Sequence, residues 1–159
     1  MYRLLIADDE MIERKVLFKT LSQNLKGQCE IFQAENGREA LEIYEKEKIQ
    51  IAILDIEMPG INGIQAAERI REKDKKCCII FLTAFDEFAY AKKAITVRAL
   101  DYLLKPWDEK ELMLVLEEAM RMAGEEKDFR KKRQKRYPRK KNGTIRKNWQ
   151  KMMQVKICA

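Results

Sequence analysis

Apolar residues fall along this chain in two alternating patterns. Short runs rich in branched side chains occur at Leu4-Leu5-Ile6-Ala7, Ile51-Ala52-Ile53-Leu54, Ile79-Ile80-Phe81-Leu82 and residues 100–104. Runs of that length and composition read as strands covered on both faces, as in a parallel sheet. Between them the spacing lengthens to a helical period. The pattern predicts strands over 2–7, 30–34, 51–54, 77–82 and 100–103. It predicts a first helix over 10–25 with Ile12, Val16, Leu17, Leu21 and Leu25 inward, and a second carrying Ala40, Leu41 and Tyr44 behind an Asn36 cap. A third helix with Ile64, Ala67 and Ile70 follows the turn-rich loop 58–63, and a short fourth covers 87–95. A fifth begins after Asp108, with Leu112, Val115, Leu116 and Met120 facing the sheet. Five strands alternating with five helices give an α/β, doubly wound parallel sheet with helices on both faces. Right-handed crossovers bring the carboxyl ends of the strands to one edge, where ligands bind in such sheets.

Charge divides the chain in two. Residues 1–124 hold 19 Lys and Arg against 23 Asp and Glu, a net −4, whereas residues 125–159 hold 14 against 3, a net +11. The sequence therefore splits into a domain at 1–124 and a basic tail or linker remnant at 125–159, whose apolar period is lost and which reads as solvated and prone to disorder. The last helix extends a few turns into it, and Pro138 and Gly143 stop it short of residue 145. No apolar stretch approaches the ~20 residues of a membrane span, and the amino terminus runs straight into a strand rather than a signal peptide, so a cytoplasmic protein is expected. The four cysteines, Cys29, Cys77, Cys78 and Cys158, form no Cys-x-x-Cys, and the chain has no histidine. A Cys/His zinc site and a Ser-His-Asp triad are both excluded. Cys29, Cys77 and Cys78 lie in or beside strands, where a thiol packs as a small apolar group.

The polar residues that close the strands carry the chemistry. Asp8 and Asp9 follow the first strand, Asp55 the third, Thr83 the fourth and Lys105 the fifth. Three carboxylates at one edge offer hard oxygen ligands suited to Mg²⁺, and they repel one another until a cation arrives. Taken alone, Asp8, Asp9 and Glu10 equally suit an amino-terminal helix cap, Thr83 a routine strand end and Lys105 a surface lysine. Taken together, an acid flanked by a divalent cation and an ammonium is an activated, mild nucleophile, and Asp55 is the candidate to form an aspartyl phosphate.

These residues lie in the segments Leu5-Ile6-Ala7-Asp8-Asp9-Glu10, Leu54-Asp55-Ile56-Glu57-Met58-Pro59-Gly60-Ile61-Asn62-Gly63, Leu82-Thr83-Ala84-Phe85 and Asp101-Tyr102-Leu103-Leu104-Lys105-Pro106. In order and spacing, across residues 1–124, they resemble the receiver domain of two-component response regulators. The resemblance implies a flavodoxin-like (β/α)5 fold and Mg²⁺ as cofactor. It implies Asp55 as the phosphoacceptor, charged by a phosphohistidine on a sensor histidine kinase. Asp9 resembles the direct metal ligand, Asp8 an acid acting through water, and the backbone carbonyl of Glu57 completes the set. Thr83 and Lys105 resemble the residues that bind phosphoryl oxygens, Tyr102 the aromatic that turns inward with the Thr83 hydroxyl, and Lys105-Pro106 a cis peptide. A phosphoryl group adds ~2 negative charges, enough to draw that hydroxyl inward. The face built from residues 87–95, 100–103 and 108–121 is the one through which relatives pair as homodimers. Phe85, two residues after Thr83, is bulky enough to shield an acyl phosphate from water.

The stretch Phe85 to Ile95 is most similar to the receivers that precede AraC-type helix-turn-helix output domains, as in DNA-binding transcription regulators. Here a basic run stands where that subgroup carries a linker helix, which reads as a truncated or frame-altered product or a fragment. The tail offers nucleic acid phosphate contacts but no recognition helix, so any binding there is sequence-independent. Three classes of function compete: a phosphorylation switch acting through protein contacts, a transcription regulator with an output domain, and a phosphohydrolase. The hydrolase reading wants an Asp-x-Asp pair, and Asp55-Ile56-Glu57 lacks the second Asp.

Overall fold

A computed structural model of the chain describes residues 1–136. Five strands, β1 (Tyr2–Ala7), β2 (Cys29–Ala34), β3 (Ile51–Leu54), β4 (Cys78–Thr83) and β5 (Asp101–Leu104), alternate with helices α1 (Met11–Asn24), α2 (Gly37–Glu47), α3 (Gly63–Lys73), α4 (Phe88–Thr96) and α5 (Glu109–Arg136). All strand pairs are parallel, in the order β2-β1-β3-β4-β5. The order reverses between β1 and β3, so their carboxyl ends flank the crevice at which open α/β sheets bind ligands.

Alternate strand residues feed two cores. Leu5, Ala52, Leu54, Ile79 and Phe81 pack with Ala40 of α2, Ile64 and Ile70 of α3 and Ala94 of α4. Leu4, Ile6, Ile53 and Ile80 pack with Leu17 and Leu21 of α1 and Leu112 and Leu116 of α5 on the opposite face. Every residue of β3 and β4 is buried, which explains why their sequences are continuous apolar runs rather than alternating ones. Cys77 and Cys78 belong to these cores, one on each face.

The helices start where short polar side chains accept first-turn N–H groups. Asn36 Oδ1 accepts from Glu39 N at 2.8 Å, and Asp108 Oδ1 from Glu111 N at 2.9 Å. Asn62 forms a reciprocal capping box with Gln65, a start signal that the loop reading of 58–63 passed over. The next residue must be glycine: a Cβ on Gly63 would lie 2.0 Å from the carbonyl oxygen of Asp55. That close approach presses the start of α3 against the backbone of the acidic residue after β3.

One expectation needs correction. Ile12 and Val16 of α1 point to solvent, 74% and 51% exposed, while Arg14 is buried with Leu17 and Leu21. Arg14 turns inward because its guanidinium donates to the Asp8 carbonyl oxygen at 2.6 Å and pairs with Glu35 at 3.4 Å, which rotates the helix away from the purely apolar stripe. The last helix runs a few turns into the basic segment, as the sequence leads one to expect, and ends at Arg136. No glycine or proline lies between Gly124 and Pro138, Glu, Lys and Arg are good helix formers, and i,i+4 pairs such as Glu126–Arg130 at 2.5 Å support it. Spatially the chain divides into Met1–Glu125 and Glu126–Ala159. The expectations for Pro138, Gly143 and Cys158 fall outside the described residues. Among the described residues no helix is long and apolar enough to cross a membrane.

Candidate functional site

The parallel ladder continues one rung past the strands and fixes the backbone of each polar residue. Asp8 N donates to Ala34 O at 3.1 Å, Asp55 N to Ala7 O at 2.9 Å, and Lys105 N to Thr83 O at 2.8 Å. Thr83 itself is the last residue of β4 rather than the first after it, and is fully buried. Adjacent strands in register thereby place residues 8, 55, 83 and 105 along one edge.

Their side chains meet there. Carboxylate oxygens of Asp8, Asp9 and Asp55 lie within 4.8 Å of one another. Lys105 Nζ donates to Asp8 Oδ2 at 2.7 Å, to Asp55 Oδ2 at 3.2 Å and to the carboxylate of Glu13. Asp8 has both oxygens engaged, since its Oδ1 accepts from Glu10 N at 2.9 Å. Capping of α1 and membership of the acidic cluster are thus one arrangement, each using a different oxygen of the same carboxylate. Asp9 is exposed, and Asp55 Oδ1 is buried with no hydrogen-bond partner among the described residues. A buried carboxylate oxygen without a donor, beside an open second carboxylate, fits a hard divalent cation such as Mg²⁺.

Burial pushes the Asp55 carboxyl up to about 6 from an ordinary value of 3.8. The Lys105 charge opposes this, the Asp8 charge adds to it, and Thr83 favours the anion more weakly without closing a full hydrogen bond to Oδ1. Burial alone would lower the Lys105 pKa, but its hydrogen bonds to Asp8 and Glu13 and the charges of Asp55 and Asp8 hold it above the usual lysine value. The site is therefore strained at neutral pH by one carboxylate that is reluctant to ionise. A raised folded-state pKa means that Asp55 contributes most to stability below 3.8 and loses that contribution as pH rises through about 6. In chelator, the melting temperature of the protein should rise on acidification from pH 7 to pH 5 by more than that of an Asp55→Asn variant. Parallel pH profiles for the two proteins would contradict the strain.

Around the cluster, the Tyr102 hydroxyl donates to the carbonyl oxygen of Phe85, and its ring lies 6.4 Å from that of Phe81 at a 55° tilt. The Phe85 N–H reaches Thr83 Oγ1 at 3.3 Å, so residues 83, 85 and 102 form one connected group. The Glu57 side chain is exposed and its carboxylate accepts from the Tyr90 hydroxyl of α4, which lifts that phenol to about 12. Its carboxylate thus faces Tyr90, and the acidic cluster comprises Asp8, Asp9 and Asp55. Lys105-Pro106 is a cis peptide. Burial pushes the Cys77 thiol up to about 12, as suits a packing residue.

Glu13, Arg14 and Tyr90 escaped the reading of the sequence. Glu13 and Arg14 sit in the first turn of α1, where charge is ordinary, and their partners Lys105 and Glu35 are remote in sequence. For Arg14 a faint signal exists, because an arginine on the line toward Leu17 and Leu21 interrupts an otherwise apolar face.

Residues 4–117 match the family model of the response regulator receiver domain. The chain is 40% identical over 116 residues to the sensory transduction protein LytT of Oceanobacillus iheyensis, covering 71% of this chain and 46% of that protein. It is 35% identical over 118 residues to the uncharacterized transcriptional regulatory protein YesN of Bacillus subtilis, covering 74% and 32%. Among solved structures it resembles the REC domain of AraT, a response regulator from Geobacillus stearothermophilus, with a TM-score of 0.71 at 35% identity, over 79% of this chain and 98% of that one. A DNA-binding response regulator of the LuxR family from Staphylococcus aureus gives 0.69 at 30% identity, over 76% and 99%. The chain spans less than half the length of these two curated relatives. With the five-stranded parallel fold and the acidic edge already in place, the match over residues 4–117 makes this chain a member of the response regulator receiver domain family.

Proposed function

We propose that residues 1–124 form a phosphorylation-dependent switch in which Asp55 accepts a phosphoryl group from a phosphohistidine of a sensor histidine kinase. The observation that carries this is the Asp55 carboxylate itself, buried, ionised with difficulty, bonded through one oxygen to Lys105 and left without a partner at the other. In the transfer, an Asp55 oxygen bonds to phosphorus as the phosphorus–nitrogen bond breaks. The histidine leaves with the electron pair and an acyl phosphate remains. Lys105 neutralises phosphoryl oxygens as they approach, and the Thr83 hydroxyl donates to one of them.

Mg²⁺ held at this edge would neutralise charge that builds on the transferring oxygens. Asp9 and Asp55 suit direct ligation, and Asp8, whose oxygens are committed to Glu10 and Lys105, suits contact through water. Glu57 would contribute its backbone carbonyl. Incubation with acetyl phosphate tests the reading: intact mass should show one phosphoryl adduct with Mg²⁺ and none with chelator. A magnesium-independent adduct would overturn the metal assignment, and no adduct under either condition would overturn the phosphoacceptor.

Loss of the mark follows the same geometry, with water attacking phosphorus and the acyl oxygen leaving to regenerate the carboxylate. Self-phosphotransfer and autodephosphorylation are the only reactions in this reading, which makes the domain a switch rather than a turnover enzyme. Phe85, 41% exposed beside Thr83, stands where a carboxylate could instead orient that water. Phe85→Glu should shorten the adduct lifetime roughly 3- to 10-fold, below what a well-positioned general base contributes. An unchanged decay after donor removal would count against a shielding role.

The output side begins at the Tyr102 hydroxyl, which a displaced Thr83 and Phe85 backbone would release inward. Phe88 and Ile95 of α4, Leu104 of β5 and Leu114 of α5 are exposed apolar residues, which supports that face as the homodimer surface of the phosphorylated form. A relative described as an uncharacterized transcriptional regulatory protein supports transcription as the output, and the resemblance of residues 85–95 supports an AraC-type subgroup. The basic segment after residue 124 in this reading makes only non-specific contacts with DNA phosphates.

A further inference from the structure

Lys105 carries three N–H donors, and three carboxylates take them: Asp8, Asp55 and Glu13. A phosphoryl group on Asp55 presents several anionic oxygens to the same ammonium, and to engage it through more than the one donor that Asp55 already holds, another of these bonds has to be given up. The three are not equally easy to break. The side chains of Asp8 and Asp55 are 6% and 8% exposed, whereas that of Glu13 is 44% exposed at the start of α1. Returning Glu13 to water costs least, because water already solvates nearly half of it. Asp8 is also tied by its other oxygen to Glu10 N, and the donor on Asp55 passes to the phosphoryl group that the same residue carries, which leaves Glu13 as the partner to be displaced.

We propose that Glu13 is a positioning residue that occupies, in the unphosphorylated protein, the Lys105 donor that a phosphoryl group on Asp55 takes over. Glu13 thereby keeps the lysine extended across the acidic edge and competes with the incoming group for its charge. This rests on Asp55 being the phosphoacceptor. Its distinctive consequence is a sign: removing Glu13 strengthens the engagement of a phosphoryl group, whereas a residue that merely buttressed Lys105 would weaken it when removed.

Fluoroberyllate, a tetrahedral phosphoryl mimic that binds a carboxylate oxygen, reads this directly by calorimetric titration at saturating Mg²⁺. Glu13→Gln should bind it roughly 2- to 5-fold more tightly than the unsubstituted protein, the change that corresponds to the net strength of a half-exposed ion pair. Glu13→Asp, which keeps the charge but draws it back by one methylene, should tighten binding by a smaller factor, and it decides the sign if the glutamine variant does not fold. Equal or weaker binding by the folded variant overturns the proposal. If the unsubstituted protein does not bind fluoroberyllate, or Asp55→Asn binds it equally, the phosphoacceptor reading fails and this inference falls with it.

Discussion

Asp55→Asn should lose the phosphoryl adduct completely while making the metal-free protein more stable. The two effects share one cause. The carboxylate that serves as nucleophile is buried among Asp8 and Asp9, and its pKa of about 6 against 3.8 means that ionising it at neutral pH works against the fold. That shift of about two units corresponds to at most about 3 kcal/mol. An asparagine keeps the shape and can turn its oxygen to Lys105, but it carries no charge and cannot form an acyl phosphate. In chelator at pH 7 the variant should melt several degrees higher, since ~1 kcal/mol moves a domain of this size by roughly 3–5 °C. Adding Mg²⁺ should narrow the gap, because the cation relieves the repulsion only where the third carboxylate is present. An adduct that survives the substitution would place the acceptor elsewhere, and a variant less stable than the parent in chelator would remove the strain from the account.

Lys105→Met should move stability in the opposite direction. The substitution keeps the aliphatic stem and removes the ammonium that Asp8, Asp55 and Glu13 share. Asp8 and Asp55 then face each other, both buried, without a cation between them. Breaking a buried ion pair from one side costs about 3–5 kcal/mol, and the metal-free variant should lose stability on that scale. The same change removes the positive charge that competes with Mg²⁺ for the carboxylates, so calorimetry should show metal affinity raised by roughly tenfold or more. Phosphoryl transfer from acetyl phosphate should nonetheless slow, because the tightened metal does not replace the donor to the phosphoryl oxygens. A variant as stable as the parent in chelator, with unchanged metal affinity, would show that the close approach of Lys105 Nζ to Asp8 and Asp55 carries little energy.

Much of this was readable from the chain for a definite reason. Four apolar residues at 51–54 are buried on both faces, so their run has no alternation to misread, and the parallel order forces Asp8, Asp55 and Lys105 to the same edge whatever the details of the helices. Asn36 and Asp108 announced their helices because a cap is a local interaction, three residues long. The face of α1 was harder. Its apolar residues Ile12, Val16, Leu17, Phe18 and Leu21 support more than one stripe, and the choice is settled by Arg14, which reaches back to Asp8 and across to Glu35 at the end of β2. Glu13 left no trace in the sequence, since its partner lies 92 positions away. Periodicity reports how much apolar surface a helix has, but the hydrogen bonds of one buried guanidinium decide where that surface points.

The central claim is that the carboxylate of residue 55, held between an acidic pair and an amine, is where the phosphoryl group is carried. Borohydride reduction of the acetyl phosphate-treated protein, followed by tandem mass sequencing, tests it at the atom concerned, because an acyl phosphate is reduced to the alcohol and leaves homoserine at its position. Homoserine at 55, formed only when Mg²⁺ was present during phosphorylation, is the predicted result. Homoserine at 8 or 9, or aspartate at all three positions after complete adduct formation, would contradict it.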